Sequence, residues 1–494
     1  MSRDDANFHR DVGLLALGLT LLRLLAAGVI HLTEDEAYYR LWAMHLHLGY
    51  YDHPPMIAWW IRAGTALADD TALGVRLVAV LAGGFATWLV ADLARLLGAK
   101  TSTALRAAVW YNATLTIGVG GILATPDAPA ILYSALTLWS IAKVWAGGPS
   151  RWWLMAGLTA GLASISKYSA LFLGPGVFLW MCLTPWGRKA FASRWPWLAL
   201  IVAEAIFATN VLWNAQHGWL TFAKQFGRIT PHRFAPDHLA DLLVAQFFLL
   251  NPLIAVYAAK GVAQAWRGRH DPNAVHLLLP LAAGLPFAVY LMLHSLHDRV
   301  QAHWPVPLFA GLAITAAVAV ERASAARTAR ILRGTAVGLT FALSATILVL
   351  AATGVTPVTS HRDPFAALKG WPQFARDIEV QRRASGAAWV GTASYGVLAQ
   401  LSATGAIGAP LFQVIERARY RDDIPNPDLS KPGLIIDLAR RLTIEDLQGC
   451  FGLVTPVGLI SRAGSQSYEA YRVANPLSDL IGHGCPNDLG KTPR

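Results

Sequence analysis

Long apolar segments separated by short polar ones dominate the chain up to residue 355. Most of these segments approach the roughly 20 residues that a helix needs to cross the hydrocarbon core of a membrane. The pattern predicts a mainly α-helical, polytopic integral membrane protein with about eleven transmembrane helices, at residues 12–32, 72–98, 102–122, 127–146, 152–166, 168–184, 196–214, 239–260, 275–293, 303–320 and 333–353.

The pattern changes after residue 355, where charged and turn-forming residues return. Helical periodicity over 371–384 is followed by the strand-like AAWVGT and by a second helical segment after Tyr395. Two more strand-like segments, PGLIIDLARR and FGLVTPVGLI, have a helix between them. Such alternation is typical of a small α/β domain. We therefore divide the chain into a transmembrane domain at 1–355 and an α/β domain at 356–494.

Composition and charge support a membrane protein with a defined orientation. The chain is 54% hydrophobic and 14% charged, whereas soluble proteins carry about 25% charged residues. The net charge of +11 does not indicate a nucleic-acid partner, because the basic residues fall in every second loop, as the positive-inside rule requires. The N-terminus is predicted to be cytoplasmic, and the loops 33–71, 215–238 and 294–305 to lie outside. Cys450 and Cys485 fall in the outer C-terminal segment, where a disulfide is allowed.

Three consecutive acids follow the first apolar segment, in HLTEDEAYYRLWAMHLHLGYYDHPP at residues 31–55. Thr33 and Glu36 have the spacing of a capping box, so a helix is predicted to begin at Glu34. Acids in a first helical turn also complement the helix dipole, whatever else they do. That simple interpretation suits Glu36, since Arg40 lies four residues further on and can pair with it.

Asp35 fits the simple interpretation less well than its two neighbours. It shares its helix face with Tyr38, Tyr39, Trp42 and Leu46, and that face has no cation. We expect such a helix to lie in the membrane interface with its aromatic face down. A partly desolvated carboxylate on that face becomes a stronger base, so Asp35 is a candidate general base.

The other outer polar residues can serve as a second acid and as contacts to a phosphate. Asp127 begins the fourth apolar segment, where it either compensates the helix dipole or shares a site with the first acid. Lys167 lies in a break between two apolar segments, where it either snorkels to the interface or binds an anionic leaving group. His53, Arg299 and His303 are further outer donors that can reach a phosphate, although each is also an ordinary loop residue.

Motifs for several other chemistries are missing from the sequence. There is no HExxH or CxxC pair, no Walker loop, no GxSxG elbow and no Rossmann fingerprint in the right context. A dedicated metal site and a nucleotide-driven machine are therefore not predicted. Acids and a phosphate together can still recruit a divalent metal ion, so that cofactor stays open.

Five ordered segments resemble the signatures of bacterial glycosyltransferase family 39, the group of protein mannosyltransferases and aminoarabinose transferases. They are DEAYYRLWAMHLHLGYYDHPPMIAWWIR, TPDAPAILYSALTLW, SISKYSALFL, NAQHGWLTFAKQF and VQAHWPVP, within about residues 10–355. The resemblance implies a GT-C fold in the bacterial inner membrane, with an active site and a C-terminal domain on the periplasmic side. It also implies a polyprenyl-phosphate-linked sugar donor.

The resemblance further implies roles for individual residues. The acid of the DE pair in the first outer loop matches Asp35, with Glu36 beside it, and the acid after the third span matches Asp127. Aminoarabinose transferases have a phosphate-contacting lysine before the Pro-Pro pair, whereas this chain has His53 there. That departure can pass the phosphate contact to Lys167 or Arg299.

The implied reaction is an inverting sugar transfer. Asp35 would deprotonate an acceptor, which attacks the anomeric carbon while the lipid phosphate leaves. A groove between spans would hold the prenyl chain, with Tyr38, Trp42 and Trp59 at the groove or its covering loop; an interfacial aromatic belt is the alternative for the tryptophans. The resemblance leaves the sugar open, and the acceptor can be lipid A, a lipopolysaccharide core sugar, another lipid or a protein.

Two other classes of function remain to be weighed. A lipid flippase or transporter would carry a path of charged residues within the spans, but Arg23 and Glu204 are isolated there. A non-catalytic membrane scaffold would tolerate the loss of Asp35 and Asp127.

Overall fold

The computed structural model describes residues 3–227, 234–271, 275–323, 326–355, 363–420, 424–438, 441–463 and 467–485. The chain divides into two compact units. The helical unit comprises Met1–Gly28 and Asp52–Leu348, and the sheet unit comprises Val29–Tyr51 and Val349–Arg494. The sequence assigned all residues before 355 to one domain, whereas the acidic segment after the first apolar helix groups with the C-terminal part.

Helices make up most of the described chain, as the sequence predicted. In chain order they are α1 (Arg3–Val29), α2 (Glu34–Met44), α3 (Met56–Ala68), α4 (Ala72–Leu96), α5 (Thr101–Asn112), α6 (Leu115–Gly120), α7 (Asp127–Trp145), α8 (Trp152–Ser164), α9 (Leu173–Leu183), α10 (Pro185–Ala190), α11 (Arg194–Gln216), α12 (Leu220–Gly227), α13 (Asp237–Leu249), α14 (Pro252–Arg267), α15 (Leu278–His294), α16 (Phe309–Ala319), α17 (Arg327–Thr353), α18 (Trp371–Ala384), α19 (Tyr395–Thr404), α20 (Ile444–Gln448) and α21 (Leu480–His483).

Within the described residues, four helices are long and apolar enough to cross a membrane by themselves, namely α1, α4, α11 and α17. Helices α13 and α14 pass the same test together but are bent by 106° at their junction. Some predicted spans are divided: 102–122 becomes α5 and α6, and 168–184 becomes a 3-10 turn at Tyr168–Phe172 followed by α9. The number of eleven spans therefore stays a prediction.

Close packing in the helical unit depends on small residues, as is usual where helices meet in a membrane. A Cβ atom at Gly157 of α8 would lie 2.2 Å from the carbonyl oxygen of Ala199 in α11. A Cβ atom at Gly176 of α9 would lie 2.2 Å from the carbonyl oxygen of Ala283 in α15. A larger residue at either glycine would force the two helices apart.

The sheet unit contains a five-stranded mixed sheet in the order β2-β1-β3-β5-β4. Strand β1 pairs in parallel with β2 and β3, and β5 pairs antiparallel with β3 and β4. The strands are β1 (Trp389–Thr392), β2 (Leu411–Gln413), β3 (Gly433–Leu438), β4 (Phe451–Ser461) and β5 (Ser467–Pro476). The predicted elements α18, β1, α19, β3, α20 and β4 are present, whereas β2 and β5 were not predicted.

Apolar side chains cover both faces of this sheet. One cluster includes Trp389, Phe412 and Val473, and another includes Val390 and Leu434 at the alternate strand positions. Such alternation of side chains between two faces follows from the pleat of a strand. Cys450 and Cys485 border the first cluster and form a disulfide, with their Cα atoms 5.6 Å apart.

Candidate active site

The start of α2 has the capping geometry that the sequence predicts. Thr33 Oγ1 accepts a hydrogen bond from the backbone N–H of Glu36 at 3.2 Å. Glu36 Oε2 in turn accepts from the backbone N–H of Thr33 at 3.0 Å. The Glu36 side chain is fully buried. These contacts give Glu36 a structural role at the helix start, where its carboxylate satisfies backbone donors that the helix leaves unpaired.

The aromatic face of α2 is buried within the sheet unit. The ring of Tyr38 contacts the rings of Tyr395 and Tyr420, with centroids 5.2 and 5.3 Å away. Trp42 stacks on Tyr50 at 4.5 Å and has no exposed surface. The expectation of an interfacial helix with its aromatic face in lipid is therefore wrong for this face. An apolar stripe has the same sequence pattern whether protein or lipid covers it.

The same burial changes the expected role of two aromatic residues. Because Tyr38 and Trp42 are enclosed by protein side chains, they offer no surface to a prenyl chain. Trp59 of α3 differs, since it is only partly buried. Its place in a lipid groove stays a prediction.

Asp35 lies on the exposed side of α2. Its carboxylate Oδ1 accepts a hydrogen bond from the phenol of Tyr395, 2.9 Å away. The protein leaves this side chain exposed, so its desolvation at the membrane interface stays a prediction. An exposed carboxylate held by one phenol donor is both oriented and accessible, and both properties suit a general base.

The neighbouring acid Glu34 is in a different environment. Burial raises the pKa of the Glu34 carboxyl, and the positive charge of Arg462 opposes that shift. The charge of Asp35 raises the pKa of Glu34 further, and that of Arg441 lowers it. The first turn of α2 thus holds one exposed carboxylate between one half-buried and one fully buried acid.

Three predicted site residues meet in the helical unit. Lys167 Nζ donates to Asp127 Oδ1 at 2.7 Å, and both side chains are 13% exposed. His303 Nε2 lies 3.9 Å from Asp127 Oδ2. These residues are 40 and more positions apart in the sequence, so the fold brings them together. The cluster combines one carboxylate with one fixed and one titratable cation.

Local structure explains how these three side chains are presented. Asp127 is the first residue of α7, Lys167 lies between α8 and the 3-10 turn, and His303 lies in the loop before α16. The predicted break at 164–167 is confirmed, because α8 ends at Ser164. Lys167 is outside a regular helix, and its ammonium is held by the hydrogen bond to Asp127.

The remaining predicted phosphate donors take separate positions. His53 is half-buried in the loop between α2 and α3, next to Asp52, whose carbonyl accepts from Gln225 at 2.6 Å. Arg299 is exposed after α15, and its backbone N–H donates to the Asp298 carboxylate at 2.7 Å. Their role in binding phosphate stays a prediction. Of the predicted loop 215–238, positions 228–233 lie outside the described residues.

Asp35 and Asp127 belong to different units, so a site shared by the two acids stays a prediction. Metal chemistry is also untested. In the part of the chain that the structure describes, no three His, Cys, Asp or Glu side chains form a group that could hold a metal ion.

Two residues near Asp35 were missed by sequence reasoning. Tyr395 begins α19, and Arg419 follows Glu416, with which it forms an ion pair at 2.8 Å. The Arg419 guanidinium lies 4.5 Å from the Tyr395 ring centroid. No sequence pattern indicates these contacts, since Tyr395 is 360 positions from Asp35.

Comparison with known proteins agrees with the motifs. Residues 52–213 match the family described as dolichyl-phosphate-mannose-protein mannosyltransferase. The lipid A galacturonosyltransferase RgtD of Rhizobium johnstonii is 28% identical over 305 residues, which are 60% of this chain. The chain spans 62% of the length of that relative.

Solved structures show the same overall fold. ArnT from Cupriavidus metallidurans bound to undecaprenyl phosphate superposes with a TM-score of 0.63 at 14% identity, over 92% of this chain and 97% of that one. ArnT in the apo state gives a TM-score of 0.61 at 15% identity, over the same shares of the two chains. The family resemblance that the motifs predicted is therefore confirmed, and the fold is ArnT-like with a small C-terminal sheet.

Proposed function

We propose that this chain, a relative of family 39 glycosyltransferases with an ArnT-like fold, is an inverting membrane glycosyltransferase. It moves a sugar from a polyprenyl-phosphate donor to an acceptor of the bacterial envelope, on the periplasmic side. The observation that carries the proposal is the cluster of Asp127, Lys167 and His303. In it a carboxylate holds a cation in place, and a cation is the group that stabilises a departing phosphate.

In the proposed reaction Asp35 removes the proton from an acceptor hydroxyl or phosphate. The acceptor oxygen then forms a bond to the anomeric carbon of the sugar on the face opposite the lipid phosphate. The bond from the anomeric carbon to the phosphate oxygen breaks, and polyprenyl phosphate leaves with the electron pair. Lys167 stabilises the charge that develops on that phosphate. Attack from the opposite face inverts the anomeric configuration.

Asp127 and His303 assist the cation in this proposal. Asp127 holds the Lys167 ammonium at 2.7 Å and so limits the positions it can take before the donor binds. His303 has a side chain that is 54% exposed, so it can approach an incoming anion when protonated. A negatively charged donor can then compete with Asp127 for the lysine.

The relatives' names suggest which substrates to test first. One relative is a lipid A galacturonosyltransferase, and the ArnT structure contains undecaprenyl phosphate. We therefore propose a polyprenyl-phosphate-linked galacturonic acid as the donor and lipid A as the acceptor. A uronic acid brings a second negative charge to the site, which suits the outer cations. Other sugars and envelope acceptors are the alternatives within the same reaction class.

Two features support a periplasmic orientation of the chemistry. The Cys450–Cys485 disulfide lies in the sheet unit, and disulfides persist in oxidising compartments such as the periplasm. Asp35 belongs to the same unit. The alternation of basic loops along the sequence also favours an outer position for Asp35 and for the disulfide.

The proposal can be tested by transfer assays with purified protein in detergent. The donor is radiolabelled polyprenyl-phosphate galacturonate, and the acceptor is lipid A. Wild type is compared with Asp35→Asn and with Glu445→Gln, which removes another exposed first-turn carboxylate of the sheet unit. We expect transfer by wild type and Glu445→Gln, and a loss of at least about 100-fold in Asp35→Asn, since general bases contribute about 10²–10⁴-fold.

The same assay tests the role of Asp35 and the identity of the sugar separately. Equal transfer by wild type and Asp35→Asn would contradict the role of Asp35 as base. Transfer with mannose or aminoarabinose donors, but not with galacturonate, would keep the reaction class and change the sugar.

A further inference from the structure

Helix α19 of the C-terminal part makes directed contacts with the start of α2. The Tyr395 phenol donates a hydrogen bond to Asp35 Oδ1 at 2.9 Å. One turn further along, Gln400 Nε2 donates to the backbone carbonyl of Leu32 at 2.7 Å. Gln400 Oε1 also lies 3.0 Å from His31 Nε2. One helix thus contacts both the candidate base and the residues that lead into its helix.

The approach between the two helices is very close at Gly396. A Cβ atom at that position would lie 2.4 Å from Glu34 Oε2 and 2.8 Å from Glu34 Cδ. It would also lie 2.9 Å from Glu34 Cβ, so any side chain at position 396 would displace the Glu34 side chain. The glycine directly follows Tyr395, so the close approach and the hydrogen bond occur at the same place.

Tyr395 is itself held by neighbours within the sheet unit. The Tyr420 phenol donates to the carbonyl of Tyr395 at 2.8 Å. The ring of Tyr395 contacts the ring of Tyr38, at 5.2 Å, and the guanidinium of Arg419, at 4.5 Å, and that guanidinium also lies 5.4 Å from the Tyr38 ring centroid. The Arg419 side chain is only 6% exposed and pairs with Glu416. A residue held by several packed neighbours can act as a rigid support for another side chain.

We infer that α19 is a positioning element for the transfer reaction, in which Tyr395 orients the Asp35 carboxylate. The inference rests on the proposed function and gives the C-terminal domain a task within it. Tyr395 does not contact the reacting atoms in this account. It fixes one carboxylate oxygen while the side chain stays exposed to an acceptor, and it stabilises the ionised form by donating a hydrogen bond.

Several charged and titratable groups surround this end of α2 and would contribute to its pH dependence. From all the elements that pack around it they are His31, Glu34, Glu36, Tyr38, Tyr395, Glu416, Arg419, Asp437, Arg441 and Arg462. A comparison between variants that change only one phenol cancels most of these contributions. The change in the pH profile is therefore more informative than its absolute position.

The test compares Tyr395→Phe with Tyr471→Phe in the full chain in detergent. Tyr471 donates to the Glu469 carboxylate, so the control loses the same kind of bond elsewhere in the sheet unit. In Tyr395→Phe we expect kcat for galacturonate transfer to fall about tenfold, because a misplaced catalytic group costs one or two powers of ten. The donor KM should stay within about twofold of wild type, since the phenol does not contact the donor in this account.

The pH profile provides the readout that a merely structural role would not move. Without the phenol donor the carboxylate is protonated more easily, so the acidic limb should move upward by about half a pH unit to one pH unit. Tyr471→Phe should leave both kcat and this limb unchanged. Equal profiles for the two variants, with Asp35→Asn inactive, would overturn the positioning role and leave the base in place. A fully active Asp35→Asn would overturn both proposals.

A backbone variant gives an independent check. Gly396→Ala should lower kcat because the new Cβ displaces Glu34, whereas Gly449→Ala, where the nearest atom would be 3.3 Å away, should not. Thermal unfolding and size-exclusion profiles of both variants establish that they fold. A folded Gly396→Ala variant with wild-type kcat would overturn the inference.

Discussion

Removing either partner of the Lys167–Asp127 pair should change phosphate binding in opposite directions. Lys167→Met deletes the cation that the lipid phosphate would contact. Asp127→Asn keeps that cation and removes the anion that competes for it. The two side chains are joined at 2.7 Å and are both 13% exposed, so each substitution acts on the same contact.

The magnitudes follow from the charges. Two unit charges about 4 Å apart attract by about 4 kcal/mol at the effective dielectric of a partly buried site, and desolvation offsets part of this. A hydrogen bond to a charged group contributes about 1.5–3 kcal/mol net. Lys167→Met should therefore weaken binding of undecaprenyl phosphate by about 10- to 150-fold. Asp127→Asn should tighten it by about three- to tenfold while transfer falls.

Stability distinguishes this effect from general damage. Each single variant removes the 2.7 Å contact from a partly buried charge, so both should be destabilised, by up to about 3–5 kcal/mol. Binding of undecaprenyl phosphate, in contrast, should weaken in Lys167→Met and tighten in Asp127→Asn. Lys143→Met is the matched control. Lys143 lies in the last turn of α7, and the substitution breaks its 3.7 Å contact with Asp92 of α4, which is also a lysine–aspartate pair. Lys143 is sixteen positions after Asp127 in the same helix, which puts it about 24 Å away.

The assay measures binding of labelled undecaprenyl phosphate to purified variants in detergent, at low ionic strength and constant pH. Lys143→Met should bind as wild type does. If Lys167→Met and Asp127→Asn both weakened binding equally, or if neither changed it, Lys167 would not be the phosphate contact. The cluster would then be a structural ion pair.

Three further variants test the fold around the site. Hydrogen bonds from Arg382 lower the pKa of Glu379 to about 2. Glu379→Gln should therefore remove the part of the unfolding free energy that is lost in acid. The wild type should therefore lose about 2 kcal/mol as the pH falls from about 4.5 through about 2, and the variant should not, as measured by thermal unfolding against pH. Replacing Cys450 and Cys485 by alanine should cost about 3–4 kcal/mol of unfolding free energy for a separation of 35 residues; no change on adding a reductant would contradict this. Thr33→Ala should cost about 1 kcal/mol and lower kcat, whereas unchanged kcat and stability would argue against the capping box as a support for the base.

The sequence was most informative where the interacting residues are close together in the chain. The spacing of Thr33 and Glu36 predicted the capping box, because both partners lie in one helical turn. The break at Lys167 was visible as a gap in apolar periodicity. The elements α18 and α19 were predicted from periodicity alone, since their apolar stripes face the sheet.

The sequence was less informative where the partner is distant. The stripe of Tyr38 and Trp42 predicted a helix with a buried face, but it could not indicate that protein covers this face. Tyr395 carries no local signal for its bond to Asp35. Strand β2 is three residues long and too short for a periodic pattern, while the pairing of β5 with both β3 and β4 depends on distant strands.

The most direct test of the central claim uses the purified full chain in liposomes that contain lipid A and labelled polyprenyl-phosphate galacturonate. Transfer of label to lipid A and movement of the donor between leaflets are measured in the same sample. We predict label on lipid A with inverted anomeric configuration, and none with Asp35→Asn. Label that stays on the donor while the donor crosses the bilayer would contradict it and identify a transporter.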